Sequence, residues 1–159
     1  MSILGINGFK KLQLGYEVNS NDVKTKNFTV AAGSKIAPGA ILIRTDKTQV
    51  YKTALTTDTA ESLKDKFAGI LLATNVKLDP LFPQSTDEVI FVGGDRGACV
   101  VRGEVAVRLD GAAPAEGAAV YYDPAKQAFT TNATGTVALA NCTFSGITEG
   151  SLTVVNVRY

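Results

Sequence analysis

The feature that most constrains the fold is the alternation of apolar and polar residues from Ala98 to Leu109. One alternating set is apolar or small: Cys99, Val101, Gly103, Val105, Val107 and Leu109. The other set includes the charged residues Arg102, Glu104 and Arg108. This period of two predicts a β-strand with one buried face. At about 3.3 Å per residue such a strand would reach about 40 Å. We therefore expect Gly103 to mark a bulge or bend.

Most of the remaining chain also follows a strand pattern. From Lys35 onward, short apolar runs are separated by Gly, Pro, Asp and Asn, which is typical of strands joined by turns. A hairpin is predicted from 40–44 and 49–53, and the run at 67–74 is apolar on both alternating sets, so it should be a central strand. One short helix is predicted over 60–66, capped by Thr57 or Asp58.

The C-terminal part of the chain predicts two more hairpins. Asp123 and Pro124 begin a turn of type I composition between two strand-like runs. A last pair of strands, 137–144 and 152–159, is separated by residues 145–150. Within the second of these strands the alternation of apolar and polar residues slips between the adjacent residues Val154 and Val155. The slip predicts either a bulge or burial of both faces by a neighbouring subunit. The total of eight to ten strands predicts a mainly β domain, either a β-sandwich or a β-barrel.

Residues 1–32 differ from the β domain, which we assign to 33–159. Their apolar residues follow neither a helical nor a strand period, so we interpret the segment as an extended N-terminal arm that finds burial on a neighbouring molecule. The alternative is a strand and loop packed on the chain's own domain. A second candidate contact lies in the proline-containing loop at 79–86. The predicted protein-interface residues are Ile3, Leu4, Phe9, Leu12, Leu14, Tyr16, Leu81 and Phe82.

Composition excludes several classes of protein. The chain has 159 residues, enough for one domain, with 45% hydrophobic and 19% charged residues. A net charge of +1 argues against nucleic acid as a partner. No stretch approaches the roughly 20 apolar residues that span a bilayer, and no leader is evident, so we expect neither export nor membrane anchoring. Cys99 and Cys142 lie in apolar runs and are predicted to be free thiols in a reducing compartment.

The sequence offers little catalytic chemistry. It contains no histidine, which removes the commonest general base and metal ligand. Glu104 and Asp110 could form a carboxylate pair, but surface charges explain them better. The glycines around Asp95 favour a tight turn over a phosphate loop, because a strand and not a helix follows. We predict no enzyme activity, no cofactor and no catalytic, cofactor-binding or metal-binding residues.

Several motifs resemble the capsid decoration, or structural cement, proteins of tailed bacteriophages. They lie at 38–43, 67–72, 94–97, 101–105 and 117–123, a spaced pattern of glycines and strands within residues 33–159. The resemblance implies a compact β domain on the outer surface of the capsid and an arm that grips neighbouring capsid subunits. It also implies a symmetric oligomer, for which we favour a homotrimer over a dimer.

The leading hypothesis is therefore a structural virion protein, made in the host cytoplasm, that decorates the outer capsid surface and clamps neighbouring major capsid protein subunits. The alternative is a carbohydrate-binding or adhesive β module, for which five tyrosines and no tryptophan offer a modest aromatic surface. A third hypothesis is an enzyme that works without histidine, which a deep pocket with convergent carboxylates would indicate.

Overall fold

The computed structural model describes residues 12–44, 50–53, 66–73 and 91–158, and these residues form strands and turns without a helix. The mainly β prediction is confirmed. The predicted helix at 60–66 lies outside the described residues except for Lys66, which is in a turn. The strands are β1 (Glu17–Val30), β2 (Lys35–Ile36), β3 (Ile41–Arg44), β4 (Val50–Thr53), β5 (Phe67–Leu71), β6 (Phe91–Val92), β7 (Arg96–Arg108), β8 (Ala119–Asp123), β9 (Ala128–Thr130), β10 (Val137–Glu149) and β11 (Leu152–Val157).

Nine of these strands form one strongly curled sheet in the order β1-β4-β3-β5-β7-β11-β10-β8-β9. β1 also pairs antiparallel with β7, so β1, β4, β3, β5 and β7 close into a ring. Within that ring β1 and β4 run parallel, and the other neighbours run antiparallel. β2 and β6 form a separate two-stranded sheet. The predicted hairpin at 40–53 is confirmed by the antiparallel pairing of β3 with β4.

β7 is the long strand predicted from the alternating segment, and it joins two groups of strands. Its first half pairs with β5 through Cys99 and Val100, and its second half pairs with β11 from Gly103 to Arg108. Beyond β7, Leu109 forms a parallel bridge with Phe129 of β9, and the amide of Asp110 donates to the carbonyl oxygen of Phe129 at 2.8 Å. β9, the last strand in the order of the sheet, therefore contacts the residues that follow β7.

Gly103, where the sequence predicts a bulge or bend, lies where β7 exchanges one partner for the other. Its φ is +128°, a backbone conformation that disfavours L side chains. Opposite Gly103, the register between β1 and β7 shifts. From Asn19 to Lys24, β1 advances by five residues, while β7 advances by two, from Glu104 to Arg102, so β1 contains a bulge. A Cβ at Gly103 would lie 2.8 Å from Cγ2 of Val23 in that bulge. The absence of a side chain at Gly103 allows this close approach.

The main core fills the inside of the curled sheet with aliphatic and aromatic side chains. β5 is buried at every position, in agreement with the predicted central strand. Tyr122 and Phe129 meet edge to face, with ring centroids 5.1 Å apart. Gly97 packs closely against two aromatic rings, because a Cβ there would lie 3.1 Å from the ring of Phe28 and 3.3 Å from the ring of Phe91.

The phase slip in β11 has a different cause from either one predicted. Val154 and Val155 are both fully buried within this chain, and β11 pairs with β7 without a break from Leu152 to Val157. The irregularity lies instead in β10, between Phe144 and Thr148. β11 occupies an interior position between β7 and β10, and both of its faces are covered by its own domain.

The last hairpin is also longer than predicted. Residues 145–149, expected to form part of a loop, continue β10, and Gly150 and Ser151 make the turn into β11. The positive φ of Gly146, +82°, allows the strand to continue through an irregular position. The described residues contain eleven strands, two of them only two residues long, against the eight to ten expected.

The N-terminal segment joins the sheet where the structure describes it. The amide of Gly15 donates to the carbonyl oxygen of Ala106 at 2.8 Å. The amide of Ala106 in turn donates to the carbonyl oxygen of Tyr16 at 2.9 Å. β1 then pairs with β7, so 17–30 packs on the chain's own domain. Residues 1–11 lie outside the described residues. The division into an arm at 1–32 and a domain at 33–159 remains a prediction.

Candidate interaction surface

One end of the molecule brings together three segments that are distant in sequence. The turn between β10 and β11 is held to the end of β7, because the amide of Leu109 donates to the carbonyl oxygen of Ser151 at 2.8 Å. A Cβ at Gly146 would lie 3.1 Å from the Cβ of Glu116, so the loop before β8 touches β10. The amide of Leu12 donates to Oε2 of Glu149 at 2.9 Å. We name the exposed residues of these joined segments, Glu116, Ile147 and Glu149, the hairpin end.

Ile147 is the most exposed large apolar side chain among the described residues, at 45%. Its backbone is fixed, since Oγ1 of Thr153 donates to its carbonyl oxygen at 3.0 Å. Ile147 was not among the predicted interface residues, because residues 145–150 were expected to form a loop. The available signal was an isolated apolar residue among Ser, Gly, Thr and Glu. An exposed apolar side chain on a rigid support is suited to contact with another protein.

The predicted interface residues of the N-terminal segment have different environments. Leu14 is only 2% exposed, and its Cδ1 lies 2.8 Å from where a Cβ would stand on Gly39. A partner contact by Leu14 remains a prediction that requires this turn to open. Leu12 and Tyr16 are half-buried and reach the surface. The remaining predicted residues lie outside the described part of the chain: Ile3, Leu4, Phe9, Leu81 and Phe82.

A second exposed surface lies on β1. Four consecutive residues, Lys24–Asn27, are all exposed, and we name them the lysine strand. β7 pairs with one edge of this strand, from Lys24 opposite Arg102 to Asn27 opposite Ala98. On the other edge, β4 pairs only with Thr29 and Val30 within the described residues. The lysine strand therefore presents two exposed cations.

The other polar groups considered in the sequence have structural partners. Oδ2 of Asp95 accepts from the amide of Val92 at 2.8 Å, which closes the predicted tight turn between β6 and β7. Oδ2 of Asp110 accepts from Nζ of Lys126 at 2.8 Å, and this contact raises the pKa of Lys126. Asp110 and Glu104 are six positions apart along β7 and its extension, or about 20 Å.

Both cysteines are free and buried, as predicted. Desolvation raises the pKa of Cys99 and of Cys142 to about 12, so both are neutral thiols near neutral pH. Within the ranges that the structure describes, no cluster of three or more His, Cys, Asp and Glu side chains could hold a metal ion. Those same ranges contain no helix long and apolar enough to cross a membrane.

Two comparisons with known proteins found similarities. The family model described as structural cement protein (E217 gp24/Pam3 gp6) matches residues 10–158. A chain in the solved structure titled "The capsid of Myoviridae Phage XM1" has a TM-score of 0.67 and 19% sequence identity, over 92% of this chain and 90% of that chain. At that identity the likeness shows a common fold. No curated protein matches the sequence.

Proposed function

The chain belongs to the phage structural cement protein family, and we propose that it clamps neighbouring major capsid protein subunits from the outer face of the shell. Its role as a capsid-stabilising structural protein follows from the family. The observation that carries the proposal is the family match from residue 10 to residue 158, which includes the described N-terminal segment as well as the β domain. The comparisons lend no support to the carbohydrate-binding alternative.

Mass action explains how such a protein would stabilise a shell without chemistry. A ligand that binds only the assembled state lowers the free energy of that state, and many weak sites add over one particle. No bond needs to be made or broken. We therefore propose that the chain is not an enzyme, which is consistent with a sequence that lacks histidine.

The position of Leu12 supports a role for the preceding residues. Leu12 is tied to Glu149 at the hairpin end, so residues 1–11 connect to the domain at that surface. Ile3, Leu4 and Phe9 are apolar, and we propose that they bind a neighbouring subunit together with Leu12 and Tyr16. Leu81 and Phe82 are proposed as a second contact. A homotrimer is the favoured assembly, because capsid lattices offer threefold sites, and a dimer is the alternative.

A shell-binding assay tests the function directly. Purified protein is mixed with shells that lack their cement protein, and bound protein is measured after sedimentation of the shells. We expect binding that saturates, together with a higher melting temperature of the shells in calorimetry. The control is heat-denatured protein. Native protein that neither sediments with the shells nor changes their melting temperature would refute the proposal.

A further inference from the structure

The hairpin end has a shape and charge that select a particular kind of partner. Ile147 is 45% exposed, and two carboxylates on the segments joined here, Glu116 and Glu149, are also exposed. The hydrogen bond from Leu109 to Ser151 and the contact between Gly146 and Glu116 hold this surface in place. An exposed apolar side chain and two exposed carboxylates on the joined segments fit a partner surface that carries exposed cations.

The lysine strand of the same chain supplies such a surface. Lys24 and Lys26 are exposed on β1, and Lys24 lies opposite another exposed cation, Arg102. These exposed cations form a surface that attracts carboxylates.

The two surfaces are too far apart to meet within one chain. Lys24 and Lys26 lie opposite Arg102 and Cys99 of β7, whereas the hairpin end is bonded to Leu109. Seven and ten strand positions correspond to about 23 and about 33 Å along an extended strand. Two complementary surfaces at separate places on one chain can meet only between copies, where they form either a closed ring or a reciprocal pair.

We infer that the hairpin end of one copy docks on the lysine strand of a second copy, with Glu116 and Glu149 facing Lys24 and Lys26. This inference rests on the proposed homo-oligomer and names the surfaces that build it. Charge complementarity favours a second copy over other occupants, because both charged surfaces are present on the same chain. The net charge of +1 leaves the whole chain with little general attraction for anions.

Charge reversal on each surface tests the contact. The molar mass is measured by light scattering at about 0.1 M salt, where charges interact over about 10 Å, for the wild type, Lys24→Glu/Lys26→Glu and Glu116→Lys/Glu149→Lys. The wild type should have at least twice the chain mass of 16.7 kDa, and each variant should have the mass of one chain. An equimolar mixture of the two variants should form complexes again, because their charges are complementary. Circular dichroism melts check that each variant is folded.

The control is Lys66→Glu/Arg158→Glu, which reverses two exposed cations elsewhere on the surface and should keep the wild-type mass. Monomeric wild-type protein, variants that keep the wild-type mass, or a mixture that stays monomeric would each overturn the inference. So would lysine variants that lose retention on double-stranded DNA while keeping their mass, since the lysines would then serve nucleic acid. If the wild type is monomeric but binds shells, this inference is contradicted and the proposed function is not. If the wild type is an oligomer that does not bind shells, the proposed function is contradicted and this inference is not.

Discussion

Burial controls the chemistry of individual residues in this protein, most clearly at the two thiols. Cys142 is buried by its own domain, and desolvation alone raises its pKa from 9.0 to about 12. At Cys99 the same effect dominates, although the positive charge of Lys26 partly opposes it. Both side chains therefore act as small apolar residues in the core. The sequence predicted this role because both cysteines lie within apolar strand patterns.

The raised pKa of Cys142 predicts a loss of stability at alkaline pH. The unfolded thiol releases its proton near pH 9.0, whereas the folded thiol keeps it to about pH 12. Stability is therefore full below pH 9.0 and falls as the pH rises through that interval, by up to about 1.4 kcal/mol per pH unit for each thiol. Urea unfolding at several pH values should show a shallower decline for Cys142→Ala than for the wild type.

Val155→Ala is the matched control, because it also creates a core cavity but removes no titratable group. Its free energy of unfolding should be lower than that of the wild type at every pH and should decline in parallel with it. If Cys142→Ala also declines in parallel with the wild type, the thiol does not contribute to the pH dependence.

At the scale of elements, the backbone conformation of β7 at its change of partner depends on Gly103. An alanine there would hold a φ of +128° and place its Cβ 2.8 Å from Val23, so we expect Gly103→Ala to lower the free energy of unfolding by about 2 to 4 kcal/mol. Gly94→Ala is the control: it also has a positive φ but no atom within 4 Å of the new Cβ, and it should lose about 1 kcal/mol. Equal losses of free energy of unfolding in Gly103→Ala and Gly94→Ala would mean that the contact with Val23 does not affect stability.

The turn between β8 and β9 depends on one carboxylate. Oδ1 of Asp123 accepts from the amides of Ala125 at 2.9 Å and Lys126 at 3.3 Å. Asp123→Ala should therefore lower the free energy of unfolding by about 1 to 2 kcal/mol in urea titrations. Asp123→Asn keeps a side-chain oxygen acceptor and should lose less than half as much. An alanine variant as stable as the asparagine variant would contradict this account.

Local patterns predicted the elements that local chemistry determines. The turn at Asp123, the tight turn at Asp95 and the positive φ of Gly103 each occur at a residue type that favours that backbone conformation. Pairing between strands that are distant in the sequence requires no particular residue type, so the sequence does not predict it. The phase slip at Val154 was assigned to a bulge or a neighbouring subunit, because the sequence does not reveal that β11 lies between β7 and β10. Ile147 was missed for a related reason, since an irregular strand and a loop have similar composition.

At the scale of the whole molecule, the proposed arm should affect shell binding but not folding. The described N-terminal residues join the sheet from Gly15 onward, and Phe9 precedes them. Phe9→Asp in the full-length chain should keep the wild-type melting temperature within about 2 °C, because it leaves the described core intact. Its affinity for shells should fall by at least about tenfold, since a charge would replace an apolar contact. The shell sedimentation assay measures the affinity of the wild type and of Phe9→Asp for shells in parallel.

Lys11→Asp is a suitable control for that experiment, because it introduces the same side chain close by without removing an apolar group. It should bind shells more tightly than Phe9→Asp does. Equal affinities for the wild type and Phe9→Asp would exclude Phe9 from the contact and leave the other proposed arm residues to be tested.

The pairing of β1 with β7 has a consequence for synthesis of the protein. β1 ends at Val30, and the partner of Thr29 is Arg96, so β1 leaves the ribosome well before its partner exists. At about 5 to 20 residues per second, the interval is about 3 to 13 seconds. During that time β1 has no strand on its β7 edge and is open to association with other nascent chains. Slower translation would prolong this exposure.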